Sequence, residues 1–134
     1  MKTADLSSPQ EIAIFETAQA ALQESGIVFE NTYCSAVVSM AVPSAEDTMP
    51  DIERLTWAIQ ETFGVEKVEV PYVVMVKLAE TLRSFDFTVA VKGKMEGSTF
   101  RCMEICDSAD TDLVGCAIDI GTTTVTMVLT DLKT

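Results

Sequence analysis

The apolar residues of this chain change repeatedly from helical to strand spacing, and that alternation limits the possible folds more than any other feature. Helical spacing, with apolar residues three and four positions apart, occurs in three segments. Apolar residues that alternate with polar ones, as in a half-buried strand, fill the stretches between and after those segments. We therefore predict an α+β fold whose elements run α, β, α, β, α, β, β and end in a hairpin.

Start and stop signals define the three predicted helices. The stretch 8–11 (SPQE) has the pattern of a capping box with proline at the first helical position, and Gly26 can end that helix. The second helix is predicted over 51–63 with Gly64 after it, and Pro71 opens the third. The apolar stripe of the third helix consists of Val74, Leu78 and Leu82.

Trp57 falls outside the apolar stripe of the second predicted helix. An amphipathic aromatic residue at such a position indicates either an interface or a half-buried side chain. The stripe itself consists of Ile52, Leu55, Ile59 and Phe63.

The alternating stretches predict six strands. Residues 93–97 (GKMEG) have the composition of a hairpin turn between two of them, and 121–124 (GTTT) joins the last two. The polar stretches 43–50 and 107–112 are predicted connectors. The predicted strands are 34–42, 65–70, 87–91, 99–105, 116–120 and 125–130.

The charge of the chain excludes several classes of partner. The chain carries 9 Lys and Arg residues against 21 Asp and Glu residues, a formal net charge of −12. Such a surface repels polyanions, so we expect neither nucleic acid nor an anionic membrane as a partner. The chain has no histidine, which rules out Ser-His-Asp and Cys-His catalytic arrangements.

We expect a cytoplasmic protein with reduced thiols. The first residues, MKTADLSSPQEIAIF, include no apolar signal core, and no run approaches the roughly 18 apolar residues of a membrane span. Cys102 and Cys106 lie four residues apart on a predicted strand, about 13 Å at roughly 3.3 Å per residue, which is too far for a shared zinc ion. Structural thiols are favoured over a metal or redox site. The four cysteines are Cys34, Cys102, Cys106 and Cys116.

The motif AIDIGTTTV is the sharpest chemical signal in the chain. An apolar strand ends near Asp119, and Gly121 turns the chain. Three threonines follow, Thr122, Thr123 and Thr124, before a second apolar strand. Such a hairpin can cradle a phosphate with N–H groups and hydroxyls, while Asp119 can hold a metal ion through water. The alternative is an ordinary hairpin whose β-branched residues favour strands.

This hairpin resembles the first phosphate loop of the superfamily of acetate and sugar kinases, 70-kDa heat-shock proteins and actin. Stretches upstream narrow the resemblance to the ATP-dependent reductive activators of corrinoid enzymes, also described as corrinoid activation/regeneration proteins. The resemblance covers about residues 43–134 and, more loosely, 7–42. The matching stretches are 42–47 (VPSAED), 51–55 (DIERL), 78–83 (LAETLR), 87–89 (FTV), 115–124 (GCAIDIGTTT) and 129–134 (LTDLKT).

The resemblance implies a multidomain activator that returns Co(II) corrinoid to Co(I) in methyltransferase systems. In that family a plant-type [2Fe–2S] cluster supplies the electron and ATP drives its transfer to a corrinoid protein, the implied partner. The resemblance assigns residues 1–42 to the linker helix and strand that end a missing [2Fe–2S] domain. It assigns 43–112 to a small mixed middle domain, and 113–134 to the truncated first hairpin of an actin-like ATPase domain.

The resemblance also implies roles for the hairpin residues in the complete protein. There, five residues would contact the phosphates of ATP, and Asp119 would also hold Mg²⁺ through water. The five are Asp119, Gly121, Thr122, Thr123 and Thr124.

The chain departs from the family pattern at both ends. A plant-type cluster needs C-x₄-C-x₂-C and a distant fourth cysteine, and only Cys34 corresponds to a ligand. The other phosphate and adenosine loops would lie beyond Thr134. We therefore expect no cluster here and no ATPase or electron-transfer activity from this chain alone.

Two other functions stay open on the residues. The α+β body can be a non-catalytic interaction module that docks on a corrinoid protein or on the rest of a split activator. The hairpin can also begin a sugar-kinase-like enzyme, although the upstream matches argue against that function.

Overall fold

A computed structural model of the chain describes residues 31–132, together with positions 13, 16, 17, 20, 21 and 24–26. Residues 31–132 form two helices and six strands, which confirms the predicted α+β class. The helices are α1 (Asp51–Phe63) and α2 (Tyr72–Ser84). The strands are β1 (Tyr33–Ser39), β2 (Lys67–Glu69), β3 (Thr88–Glu96), β4 (Thr99–Asp107), β5 (Val114–Ile120) and β6 (Val125–Asp131).

The predicted first helix lies mostly outside the described residues, and so does its capping box. The described positions between 13 and 24 are helical, and the Thr17 hydroxyl donates a hydrogen bond to the Ala13 carbonyl at 2.7 Å. Gly26 follows with a φ of 65°, the left-handed conformation that a helix-ending glycine adopts.

Four strands form a sheet in the order β1-β3-β4-β2, and both described helices pack on one of its faces. Strands β1 and β4 flank β3 in antiparallel pairs, and β2 runs parallel to β4. Side chains from the helices and from alternate strand positions meet in one core. Its most deeply buried members are Val38, Leu55, Ile59, Leu82, Val89, Val91, Phe100 and Cys102.

The apolar stripes of the two helices explain their packing. The stripe predicted for α2 is buried in full, and Leu55 and Ile59 of α1 are completely inaccessible to solvent. Helix α1 ends at Gly64, whose left-handed backbone lets its N–H donate to the Gln60 carbonyl at 2.9 Å. Phe63 stacks on Phe100 of β4 with ring centroids 4.5 Å apart, which joins the end of the helix to the sheet.

The hairpin predicted around residues 93–97 is present, but the predicted start of its turn at Gly93 is wrong. Strand β3 continues through Gly93 to Glu96, and Gly97 makes the turn with a φ of 61°. The glycine at 93 serves close packing, because a Cβ there would overlap the Phe100 ring and lie 2.5 Å from the Arg101 carbonyl oxygen. Glycine inside a strand often marks such a close approach.

A β-bulge in β4 reverses the expected orientation of one cysteine. Gly93 pairs with Cys102 while Lys92 pairs with Glu104, so β4 carries one extra residue at this point. Cys102 therefore faces the helices, whereas the Cys106 thiol lies 3.3 Å from the Asp110 carbonyl oxygen on the other side. In an unbroken strand, residues four apart point the same way, but the bulge places Cys102 and Cys106 on opposite faces.

The connection after β4 crosses the face of the sheet opposite the helices. Lys92, a residue only 7% exposed, directs its Nζ to Asp110 Oδ1 at 2.9 Å and to Glu104 at 3.4 Å. The Ser35 hydroxyl of β1 donates to the Thr111 carbonyl at 2.6 Å. The crossing connection thus spans from β4 over β3 to β1 before it enters the β5–β6 hairpin.

The close approach at Gly93 predicts a large effect of one methyl group. We expect Gly93→Ala to lower the free energy of unfolding by about 3 kcal/mol, because the new Cβ would lie 2.5 Å from the Arg101 carbonyl oxygen and against the fully buried Phe100 ring. Ser98→Ala in the adjoining turn is the control, and we expect it to change stability by no more than about 0.5 kcal/mol. Urea unfolding followed by circular dichroism measures both variants, and equal stability would contradict the packing role of Gly93.

Candidate functional site

The predicted phosphate loop forms the tip of an exposed antiparallel hairpin. Strands β5 and β6 pair from Val114 opposite Asp131 to Ile120 opposite Val125. The Gly121 N–H donates to the Thr124 carbonyl at 2.8 Å, which closes the loop and leaves two threonines at its end. The structure brings the predicted residues together at one end of the hairpin, where all are exposed: Asp119, Gly121, Thr122, Thr123 and Thr124.

The hairpin has two faces of different chemistry, because residues directly opposite each other on paired strands share a face. On one face, called the apolar hairpin face below, the large apolar side chains other than the thiol are 56% to 77% exposed. Its apolar members are Val114, Cys116, Ile118, Ile120, Val125, Met127 and Leu129, and Asp131 lies on the same face opposite Val114 at the base of the hairpin. The other face carries Ala117, Asp119, Thr126, Val128 and Thr130.

The loop geometry limits what each residue can offer a phosphate. The Gly121 N–H already has an acceptor within the loop, and a Cβ on Gly121 would lie 3.2 Å from the Thr124 carbonyl oxygen. The glycine therefore allows the loop to close on itself. The hydroxyls of Thr122 and Thr123 stay exposed, with the Asp119 carboxylate two residues before the loop. These groups fit one wall of a phosphate and magnesium site.

The matching stretches VPSAED and DIERL meet in a half-buried ion pair that the sequence patterns did not predict. Arg54 of α1 is 6% exposed and donates from Nη2 to Asp47 Oδ2 at 2.6 Å. Its Nη1 donates to the Ala41 carbonyl at 3.0 Å and its Nη2 also to the Met49 carbonyl at 3.3 Å. The guanidinium thus holds the connection between β1 and α1 against the helix. An arginine beside the apolar stripe of a helix, shortly after a loop aspartate, was the available signal.

The four thiols occupy separate environments. Cys34 of β1 packs against the core, and burial raises its pKa, so the thiol is protonated at neutral pH. Burial raises the pKa of Cys102 to about 11. Cys106 lies on the opposite face of the sheet, and Cys116 lies on the apolar hairpin face. Within residues 31–132 and the other described positions, no three His, Cys, Asp or Glu side chains converge as metal ligands.

Comparison with known proteins identifies the family. A family model described as "RACo linker region" matches residues 22–106, more than half of the chain. The chain belongs to the RACo family. A solved structure described as "Reductive activator for corrinoid,iron-sulfur protein" is 29% identical, with a TM-score of 0.59, over 80% of this chain and 17% of that chain. No curated protein matches the chain.

The comparisons confirm the resemblance to corrinoid reductive activators. The RACo match contains both helices and β1 to β3, and it ends at residue 106, one residue before the end of β4. The chain spans 17% of the length of the solved activator. Among the helices that the structure describes, none is long and apolar enough to cross a membrane.

The different burial of the four thiols predicts the order in which they are chemically modified. We expect iodoacetamide to alkylate Cys116 first, because it is exposed, and Cys102 last, because it is 1% exposed and its raised pKa keeps it protonated. Mass spectrometry of peptides at successive times measures the order. Modification of Cys102 as fast as Cys116 in the native protein would show that the RACo-region core is open.

The lowered pKa of Asp47 makes the stability of the RACo region depend on pH. The Met49 N–H and the Arg54 guanidinium lower the pKa of Asp47 below its ordinary 3.8. Because the native carboxyl binds its proton less readily than the unfolded one, this contribution is present above about pH 4 and is lost as the pH falls through the lower native pKa. We expect Asp47→Asn to lower Tm near neutral pH and to approach the parent Tm in strong acid.

Thermal unfolding between about pH 2 and pH 7 tests this dependence. Glu46→Gln removes the neighbouring exposed carboxyl and is the matched control, with a Tm profile expected to follow that of the parent. A constant Tm difference between Asp47→Asn and the parent at every pH would assign the effect to something other than the Asp47 charge.

Proposed function

We propose that this chain is the linker-region part of a corrinoid activation/regeneration protein, which uses ATP and a [2Fe–2S] cluster to reduce Co(II) corrinoid to Co(I) in a methyltransferase system. The observation that carries the proposal is continuity along the chain. The sheet that the RACo family matches leads through the crossing connection, held by Lys92 and Asp110, into the hairpin with Asp119 and three threonines.

The apolar hairpin face supports the assignment of residues 113–134 to the start of an ATPase domain. Two strands alone are at best marginally stable in water, and a face of seven apolar residues favours a further layer packed against it. Residues 43–112 would then be the middle domain, and 1–42 the linker after an iron–sulfur domain. The location would be the cytoplasm.

The residues of the hairpin tip have distinct roles in this proposal. The hydroxyls of Thr122, Thr123 and Thr124 would bind phosphate oxygens, and the Asp119 carboxylate would orient a water ligand of Mg²⁺. Gly121 would keep the loop closed. When bound, Mg-ATP would supply the free energy for an otherwise unfavourable electron transfer. Cys34 would correspond to one ligand of the [2Fe–2S] cluster, with the other ligands in the iron–sulfur domain.

A docking module is the second candidate, because the sheet and its helices have a core of their own that excludes the hairpin. In that case residues 43–112 would bind a corrinoid protein, or the rest of a split activator, without nucleotide. The sugar-kinase-like function is disfavoured, because a RACo linker match lies directly before the hairpin.

Sequencing the DNA on both sides of this reading frame is the first test. Coding in frame for C-x₄-C-x₂-C upstream and for further ATPase strands downstream would support the activator, and the encoded protein would then be assayed for ATP-dependent formation of Co(I) by its absorbance. Stop codons on both sides would favour the docking module, and binding of this chain to a corrinoid protein, with and without Mg-ATP, would test it.

The role proposed for the Asp119 carboxylate can be tested by removing its charge and measuring the affinity for Mg-ATP. In the encoded activator we expect Asp119→Asn to weaken Mg-ATP binding at least tenfold, about 1.4 kcal/mol, because the variant loses the charge that faces the metal. Asp131→Asn makes the same change on the other face of the hairpin and is the matched control, with unchanged affinity. Calorimetric titration measures both, and equal affinity of the two variants would remove Asp119 from the site.

A further inference from the structure

An open groove of about 350 Å³ lies between α1 and the connection that joins β1 to α1. It is formed by residues of the RACo linker region, and no residue of the hairpin tip lines it. The side chains that define it are Met40, Asp47, Met49, Arg54, Trp57 and Glu61.

Arg54 forms a buried part of the groove wall. Its two terminal nitrogens bind Asp47 and the carbonyls of Ala41 and Met49, but its Nε has no acceptor among the described residues. This Nε has almost no accessible surface, so it is enclosed by the protein and does not reach the groove. The side chain is 6% exposed, so its position is set before any ligand arrives.

Trp57 provides an apolar wall for the same groove. Its side chain is 65% exposed, although it is the largest apolar group of α1. Exposed tryptophans are enriched where proteins contact each other, because the ring offers a large rigid area at low entropic cost. The half-buried Met40 and Met49 extend this apolar surface with side chains that adapt to different shapes.

The negative charge at the groove favours a ligand that carries a basic group. Asp47 neutralises Arg54 at 2.6 Å, so the exposed Glu61 leaves the groove with a negative charge, on a chain whose net charge is −12. We propose that the groove binds an extended peptide segment of a partner protein that carries an apolar residue next to a lysine or arginine. The apolar side chain of that segment packs on Trp57, and the basic side chain faces Glu61.

Trp57 is the one tryptophan of the chain, so its fluorescence reports on the groove directly. The probe is the blocked peptide acetyl-Gly-Leu-Lys-Leu-Gly-amide, titrated into the whole chain, with the Leu-Glu-Leu peptide as its charge-reversed counterpart. We expect a saturable change in Trp57 emission with the lysine peptide and at least about fivefold weaker binding of the glutamate peptide.

Two surface variants locate the binding. Glu61→Gln should weaken the lysine peptide at least about threefold, whereas Glu80→Gln, the same change on α2, should leave its affinity unchanged. Circular dichroism confirms that both variants stay folded. No saturable change with either peptide would overturn the proposal, as would equal affinity for the two peptides. An unchanged affinity in Glu61→Gln would overturn it too.

Discussion

The central strand β3 is buried on both faces, and the other parts of the structure depend on that constraint. Val89 and Val91 face the helices, whereas Ala90 and Lys92 lie under the crossing connection. A buried ammonium group needs partners, and although burial alone lowers the pKa of Lys92, the hydrogen bond to Asp110 and the nearby carboxylates raise it overall. The ion pairs that keep Lys92 charged also hold the connection in place, and through it the start of the hairpin.

The structure consists of a domain with a buried core and a hairpin whose residues are mostly exposed. The domain has a closed core, and Leu113 is the last of its buried residues before the hairpin begins. The Leu132 N–H donates to the Leu113 carbonyl at 2.8 Å, which ties the end of the hairpin to its base. Beyond this base the apolar hairpin face is open, so the hairpin presents its loop residues while the domain supplies the rigid support.

Arg54 holds together two of the stretches that resemble the family. The stretches VPSAED and DIERL are separated by three residues in sequence, and the guanidinium joins them by binding both the Asp47 side chain and the backbone before α1. The same side chain borders the groove beside Trp57. One buried arginine therefore fixes the entry to the helix, which gives the motif a structural role.

The sequence by itself determined the α+β class, the bounds of α1, the buried stripe of α2 and the hairpin around the threonine loop. These depend on periodicity and on residues close along the chain, so local backbone geometry is sufficient to predict them. Only the tertiary structure decided that Gly93 lies inside a strand, that a bulge turns Cys106 away from Cys102, and that Lys92 is buried. Each of these follows from contacts between different strands and loops, whose pairing register is not encoded in any single stretch.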